Sequence, residues 1–412
     1  MSKIYTGIEL GTNSIKVVVA EKYDERYHIL AAVSCASAGI LNGHIVDIKM
    51  AVTSVKNALK EVSDMLGVKI TKVVAAVPPC DCKLDILVGS CEVMDYNEIT
   101  GIDVSNVLSD ALRGQDFEHN ELVTAIPISF TVDGQENIKD PKGMKGSTLE
   151  TRVVVSTLEK EPLYRILEVL KLSGVETVDV AFTSTGDYYA IKNRKVDSLV
   201  GAVINIGEKS TNVSIFNKGI QIKNSLLPVG SKNVDKDISY ILKISEDDAR
   251  KLKENFSVAM ASYADSNDVM DIKLIAGSRK EINQVGVSKL VESRVREILK
   301  LAKNEIKNLT NREIRYIIIT GGLSELAGFQ YLIDDEFGFV AKVCNISTMG
   351  IRHNKYSSAL GAIKYFDDKL MLRGKSYNMM SNEDIDILMS TEQKITANEN
   401  IIGKVFGHFF DN

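Results

Sequence analysis

The sequence predicts an α/β protein of two lobes, each built on a sheet-and-helix core, closing on one ligand. Three stretches carry that reading. Residues 4–34 run strand, tight turn, strand, turn, strand, with Gly11-Thr12-Asn13-Ser14 at the first corner. Residues 199–226 repeat the pattern: Leu199–Ile206, the corner Gly207-Glu208-Lys209-Ser210-Thr211, then Asn212–Phe216, Asn217-Lys218-Gly219 and Ile220–Leu226. Two copies of one unit suggest duplicated lobes facing each other. The third stretch, Ile317-Ile318-Ile319-Thr320-Gly321-Gly322-Leu323-Ser324, is a β-branched strand ending in a glycine pair. Such a run suits a strand covered on both faces. The glycine pair lets backbone approach a ligand without Cβ hindrance.

Composition narrows the function. A chain of 412 residues, 44% hydrophobic and 25% charged, reads as globular and soluble. Its net charge of −5 argues against general nucleic-acid binding, which wants a basic footprint. Five cysteines, an odd number, and no recognisable signal peptide point to a reducing cytoplasm. Cys80-x-Cys82 with Cys91 finds no fourth ligand at zinc spacing, so no directly bound metal is expected. No window reaches about 18 apolar residues, so no membrane span is expected.

Taken in order, the first corner has the makings of a phosphate cradle. Gly11 permits the turn, Thr12, Asn13 and Ser14 offer donors, and Lys16 adds positive charge on the returning strand. Ile48–Leu66 reads as an amphipathic helix, with Val52, Val55, Leu59, Val62 and Leu66 on one face. Lys72–Val77 is a buried strand that Pro78-Pro79 ends. The texture then changes. A helix at Val104–Leu112, a strand through Val123–Val132, a polar loop from Gln135 to Ser147 and a strand at Leu149–Ser156 suggest a small inserted domain. The first lobe resumes with helix Pro162–Leu172, strand Thr177–Ala181 and helix Ser184–Lys192.

Beyond the second copy, Gly230 and Asn233 open a helix through Leu242. Ser245, with a carboxylate three residues on, caps another that carries Lys253 and Glu254. Val287–Leu309 is the longest expected helix. Ser324 is expected to cap the helix after the glycine pair, and Phe339–Cys344 to form a strand. Tyr356–Ile363, rich in small residues, suits a helix packed closely near a hinge. Arg373–Glu399 turns polar and reads as a mobile linker, with room for a brief helix at Ile385–Met389. The tail turns apolar again: Ile401, Ile402, Val405, Phe406, Phe409 and Phe410 fill about half of a helical circumference. A helix there would anchor on a membrane surface or dock on a partner. Six apolar side chains at ~1.5–3 kcal/mol each roughly offset the ~1–2 kcal/mol per residue needed to order a dozen residues. One tail should therefore bind lipid weakly, and many tails together firmly.

These stretches together resemble the actin-like fold and, within it, the FtsA cell-division family, over about residues 4–370 in order. Gly7–Lys16 matches the first phosphate motif, Asn205–Asn212 the second, Ile317–Gly328 the adenosine motif and Tyr356–Gly361 the second connecting helix. The loop Gln135-x-x-Ile138-x-x-Pro141-x-Gly143-Met144-x-Gly146 is similar to a segment of that family's inserted subdomain. The resemblance implies a two-lobe α/β fold with duplicated cores, an inserted α+β subdomain and a C-terminal amphipathic helix. Its parts would be a first-lobe core of 1–80, 159–198 and 355–372, and an insertion at 81–158 of order strand-helix-strand-strand. A second-lobe core would follow at 199–229 with 309–354, then a small subdomain at 230–308. A linker at 373–398 and the helix at 399–412 complete the chain.

The resemblance also implies ATP as ligand, with Mg²⁺ held through water and phosphates. The nucleotide would meet Gly11, Thr12, Asn13, Lys16, Gly207, Lys209, Ser210, Thr211, Gly230, Lys253, Glu254, Gly321, Gly322, Leu323 and Ser324. Glu9 and Asn205 would position Mg²⁺ and water. Members of that family often carry an acid where this chain has Asn205, and glycines where it has Glu208 and Lys209. An asparagine hydrogen-bonds but brings no charge, so nucleotide binding with slow hydrolysis is expected. The implied role is an adaptor that self-assembles on the cytoplasmic face of the membrane at the division site. There it would tether FtsZ, a tubulin-like protein, and recruit later division proteins. Arg294, in Val291-Glu292-Ser293-Arg294, is the candidate partner contact. A pilus-assembly adaptor of similar body and a sugar or metabolite kinase of the same superfamily are the competing readings.

Overall fold

The computed structural model describes residues 3–388, except 25, 116, 347 and 349. Strands β1 (Lys3–Leu10), β2 (Ser14–Tyr23) and β3 (Arg26–Ala36) form an antiparallel meander. A two-stranded ribbon, β4 (Ile40–Leu41) and β5 (His44–Ile45), leads to helix α1 (Ile48–Leu66). The Asp47 side chain caps α1 by accepting from the Met50 N–H, and its Val55, Leu59 and Val62 are buried. Strand β6 (Lys72–Val77) lies parallel to β1 and ends before the two prolines.

The inserted segment folds as β7 (Lys83–Glu92), α2 (Gly101–Leu112), β8 (Asn120–Val132), β9 (Gln135–Ile138) and β10 (Thr148–Glu159). Its sheet runs β7-β10-β8-β9 and encloses its own core around Val104, Leu108, Phe130, Leu149 and Val153. Strand β9 lies in the stretch expected to be a polar loop. Only four residues long and largely exposed, it carries no hydrophobic alternation by which to see it.

The chain returns through α3 (Lys160–Leu172), β11 (Glu176–Phe182) and α4 (Thr183–Ile191). The second lobe opens with the meander β12 (Val200–Ile206), β13 (Thr211–Asn217) and β14 (Ile220–Leu227). Helices α5 (Ser231–Leu242) and α6 (Glu246–Asn255) follow. A hairpin not expected from the sequence, β15 (Val269–Lys273) and β16 (Arg279–Asn283), precedes the long α7 (Gln284–Leu309). Then come β17 (Tyr316–Thr320), α8 (Phe329–Phe337), β18 (Ala341–Val343) and α9 (Ser357–Leu372). β18 is shorter than expected because Gly338–Val340 winds into a 3-10 turn.

The two large sheets have one topology. Each places its meander first and then two parallel strands: β3-β2-β1-β6-β11 in the first lobe and β14-β13-β12-β17-β18 in the second. Helices α4 and α9 cross between them. A Cβ on Gly361 would sit 1.6 Å from the Gly186 carbonyl oxygen, so that crossing admits no larger side chain at position 361.

The linker expected from Arg373 onward is corrected in its first half. Met379 N–H donates to the Ile4 carbonyl, and Ile4 N–H donates to Asn378 Oδ1. Met379 and Met380 are buried, and Ile385 and Leu388 pack on the first-lobe core. The cause lies in β1, which pairs with β6 only from Gly7 onward and leaves Ile4 with bonds to make on that side. The rest of the linker and the tail helix at 399–412, with Ile401, Ile402, Val405, Phe406, Phe409 and Phe410, lie outside the described residues.

Candidate functional site in the interlobe cleft

The two glycine corners are built alike. Gly11 N–H donates to the Ser14 carbonyl at 3.2 Å, and Gly207 N–H donates to the Ser210 carbonyl at 2.9 Å. Both corners border a cleft of about 680 Å³ and a smaller hollow of about 130 Å³ beside it. Glu9, Asn13, Lys16, Asn205 and Gly207 line both spaces. Gly11, Thr12, Lys209 and Ser210 line the smaller; Lys253, Glu254, Gly321, Gly322 and Leu323 line the larger. Gly321 is obligatory: its φ is 92°, and a Cβ would meet the Ile206 carbonyl at 2.4 Å and Asn205 Oδ1 at 2.7 Å.

Three expected residues fall elsewhere. Thr211 is buried, its hydroxyl donating to the Val229 carbonyl at 2.8 Å. Gly230 packs behind the second corner, where a Cβ would lie 2.6 Å from the carbonyl oxygens of Gly207 and Glu208. Ser324 caps no helix. Its hydroxyl donates to the Gly321 carbonyl at 2.7 Å within a 3-10 turn, and α8 begins after Gly328 instead. Each of the three supports a cleft-lining segment from behind.

Charge is organised in pairs. Lys16 Nζ meets Glu9 Oε1 at 2.8 Å, while Glu9 Oε2 is buried without a hydrogen-bond partner. Lys253 and Asp235, both buried, pair at 2.7 Å. Arg250 Nε pairs with Glu254 at 3.0 Å, and its Nη1 donates to Asn13 Oδ1 at 3.0 Å. The Asn205 amide donates to Asp187 Oδ2 at 2.7 Å. Asp187 Oδ1 accepts from Ser357 at 2.6 Å and Ser358 at 2.8 Å. Burial raises the Asp187 carboxyl to about 6 against these hydrogen bonds, which favour its charged form. Sequence reasoning missed both Asp187 and Arg250. An acid following Thr183-Ser184-Thr185-Gly186 was the one available signal for Asp187.

Arg294 lies away from the cleft. It grips Asp237 through two bonds, 2.6 and 3.0 Å, and Glu297 through another at 2.6 Å. Among the described residues, no three His, Cys, Asp or Glu side chains gather as a metal centre. The cleft suits a phosphate-bound, hydrated cation in another way. Its two corners and Lys16 provide donors, and Glu9, a lining residue, keeps one carboxylate oxygen without a partner.

Duplicated sheets, two crossing helices and facing glycine corners define the actin-like class. The chain is similar in fold to a chain of the PilM–PilN type IV pilus biogenesis complex, with a TM-score of 0.60 at 15% identity over 88% of this chain and 98% of that one. It is likewise similar to MreB5 of Spiroplasma citri bound to ADP, with a TM-score of 0.55 at 12% identity over 90% and 98% of the two chains. Residues 202–361 match the family described as "Cell division protein FtsA", and residues 85–157 match "SHS2 domain inserted in FTSA". The cell division protein FtsA of Bacillus subtilis (strain 168) is 26% identical over 387 residues, 93% of this chain and 88% of that protein. The chain belongs to the FtsA family of cell-division proteins.

Proposed function

We propose that this protein binds ATP with Mg²⁺ between its lobes and acts as a membrane-tethering adaptor in cell division. The observation that carries the nucleotide reading is the pair of like-built corners, Gly11 and Gly207, bordering one cleft. Backbone N–H groups and the Lys16 and Lys209 side chains would hold the phosphates. The glycine pair Gly321-Gly322 would receive the adenosine. Glu9 and Asn205 would orient the water shell of the cation, which supplies positive charge against the phosphates. With asparagine in place of a second acid at position 205, hydrolysis is slow, and many turnovers per second would refute that.

The adaptor reading rests on the family and on the apolar pattern of residues 401–410. Among the described residues no helix is long and apolar enough to cross a membrane. Attachment would therefore come from the tail, lying on the cytoplasmic face at the division site. Copies of the chain would assemble into actin-like filaments, so that many weak tails hold together. FtsZ and later division proteins would be the partners. Arg294 would serve FtsZ through a partner acid that competes with Asp237 for its guanidinium.

Co-sedimentation with anionic liposomes, ATP and FtsZ tests this, using the full chain and a form ending at residue 398. The full chain should carry FtsZ to the pellet, and the shortened form should leave both in solution. Equal retention of the shortened form refutes the tail anchor.

A further inference from the structure

Behind the interlobe cleft lies a buried carboxylate that no phosphate-binding motif accounts for. Asp187 sits on α4, 1% exposed, between the second-lobe strand β12 and the first turn of α9. All three of its neighbours in hydrogen-bond reach donate to it: the Asn205 amide, Ser357 and Ser358. A carboxylate accepts only, so the Asn205 amide nitrogen must face Asp187. That leaves Asn205 Oδ1 on the other side, toward Gly321 and the cleft, where a Cβ on Gly321 would meet it at 2.7 Å.

We propose that Asp187 is a positioning residue for the cation end of this cleft: it fixes Asn205 with its oxygen outward and supplies the negative charge that position 205 lacks. The inference rests on the nucleotide reading above. Across the cleft, Glu9 has one buried oxygen without a partner. Glu9 on β1 of the first lobe and Asn205 on β12 of the second then border the space between the two corners, with Asp187 behind Asn205. An acid at position 205 would place two carboxylates 2.7 Å apart, by the present Asn205–Asp187 separation. Such neighbours repel or must share a proton. Asparagine at 205 and aspartate at 187 are thus one unit, with one charge distributed over two side chains. Ser357 and Ser358 tie that unit to α9, which packs on α4 at Gly361.

The test is binding of a fluorescent ATP analogue to the full chain, with Mg²⁺ and with EDTA. Four proteins are compared: wild type, Asp187→Asn, Asn205→Asp and the exchange Asp187→Asn/Asn205→Asp. Asp187→Asn removes the negative charge behind the cation end, and the gain in affinity that Mg²⁺ confers should fall by about tenfold. Affinity in EDTA should stay within about twofold, because the phosphate donors are untouched. The exchange restores the same pair with its charge moved across, so it should recover the Mg²⁺ gain. A residue that merely packs α4 would not show that recovery. Asp187→Asn with an unchanged Mg²⁺ gain overturns the proposal. So does an exchange variant that melts like wild type yet shows no Mg²⁺ gain, and this arm decides alone if Asp187→Asn does not fold. Wild type that binds no ATP overturns the nucleotide reading itself, a different result from wild type that binds and is indifferent to Asp187.

Discussion

Arg250 and Asn13 hold the two lobes to one another: Nη1 of the arginine donates to Oδ1 of the asparagine at 3.0 Å. Arg250 stands on α6 of the second lobe, and Asn13 belongs to the glycine corner of the first. Glu254, one turn further along α6, accepts from Arg250 Nε and keeps the guanidinium pointed across the gap. The arginine side chain is 41% exposed, so solvent weakens the bond to roughly 0.5–1 kcal/mol. Arg250→Ala should let the first corner open more often. Hydrogen–deuterium exchange at residues 11–14 of the ligand-free protein should accelerate by roughly two- to fivefold. Unchanged exchange would mean that the arginine restrains nothing.

Arg250 was not legible in the sequence, and the reason lies in distance along the chain. The corners at Gly11 and Gly207 are local: a strand, a glycine and polar residues stand in sequence order, and the structure keeps that order. The long helices declared themselves by their apolar stripes, as α7 did with Val291, Val295, Ile298 and Ala302. Arg250 meets a residue 237 positions away, and Asp187 meets Ser357 across 170. Neither spacing has a local pattern. The β15–β16 hairpin was hidden because its residues are mostly exposed, with one buried isoleucine on each strand, so neither shows an alternating apolar face. Residues 377–388 resemble a linker because Tyr377, Met379, Met380, Ile385 and Leu388 follow no period. Their docking depends on an edge of β1 that only the fold reveals.

The first lobe contains a second polar cluster, and stability should depend on it. Asp367 on α9 is 1% exposed and accepts from Lys22 at 2.6 Å, Tyr27 at 2.7 Å and Tyr5 at 2.9 Å. Burial and the neighbouring carboxylate push both tyrosine hydroxyls well above their usual range, so they remain donors. Asp367→Ala removes the carboxylate opposite a lysine that is itself buried. Breaking such a pair costs about 3–5 kcal/mol. Urea unfolding should show a midpoint lowered accordingly. Adding Lys22→Met should return part of the loss, because the buried lysine charge that faced Asp367 is then gone.

Acid should act on the inserted subdomain through Asp133. This residue follows β8 with a φ of 45° and accepts from the backbone N–H groups of Ser147 and Thr148 and from both hydroxyls. Those donors lower its carboxyl to about 2. Its folded value therefore lies below the unfolded one of about 3.9. The stability it contributes is present above that unfolded value and is lost as pH falls toward about 2. Asp133→Asn should melt below wild type at neutral pH. The gap in melting temperature should narrow between roughly pH 4 and pH 2. A gap constant with pH would show that the carboxylate charge is not what these donors recognise.

The crossing of α4 and α9 is a close backbone approach between the lobes, and Gly361 should tolerate nothing larger. A methyl group there would stand 1.6 Å from the Gly186 carbonyl oxygen, and one on Gly186 would stand 2.3 Å from that of Ser358. Both obstacles are backbone, so no side-chain rotation relieves them. The helices must move apart, and Ser357 and Ser358 must then draw away from Asp187. In an unconstrained helix, Gly→Ala stabilises by about 1 kcal/mol. Here overpacking should reverse the sign and cost about 1–3 kcal/mol or more. Gly361→Ala should accordingly melt below wild type and bind the ATP analogue more weakly. Gly322→Ala is the control, because a Cβ at that position meets no atom within 4 Å and its stability should be nearly unchanged. If both variants melt alike, the two helices do not pass as closely as their glycines allow.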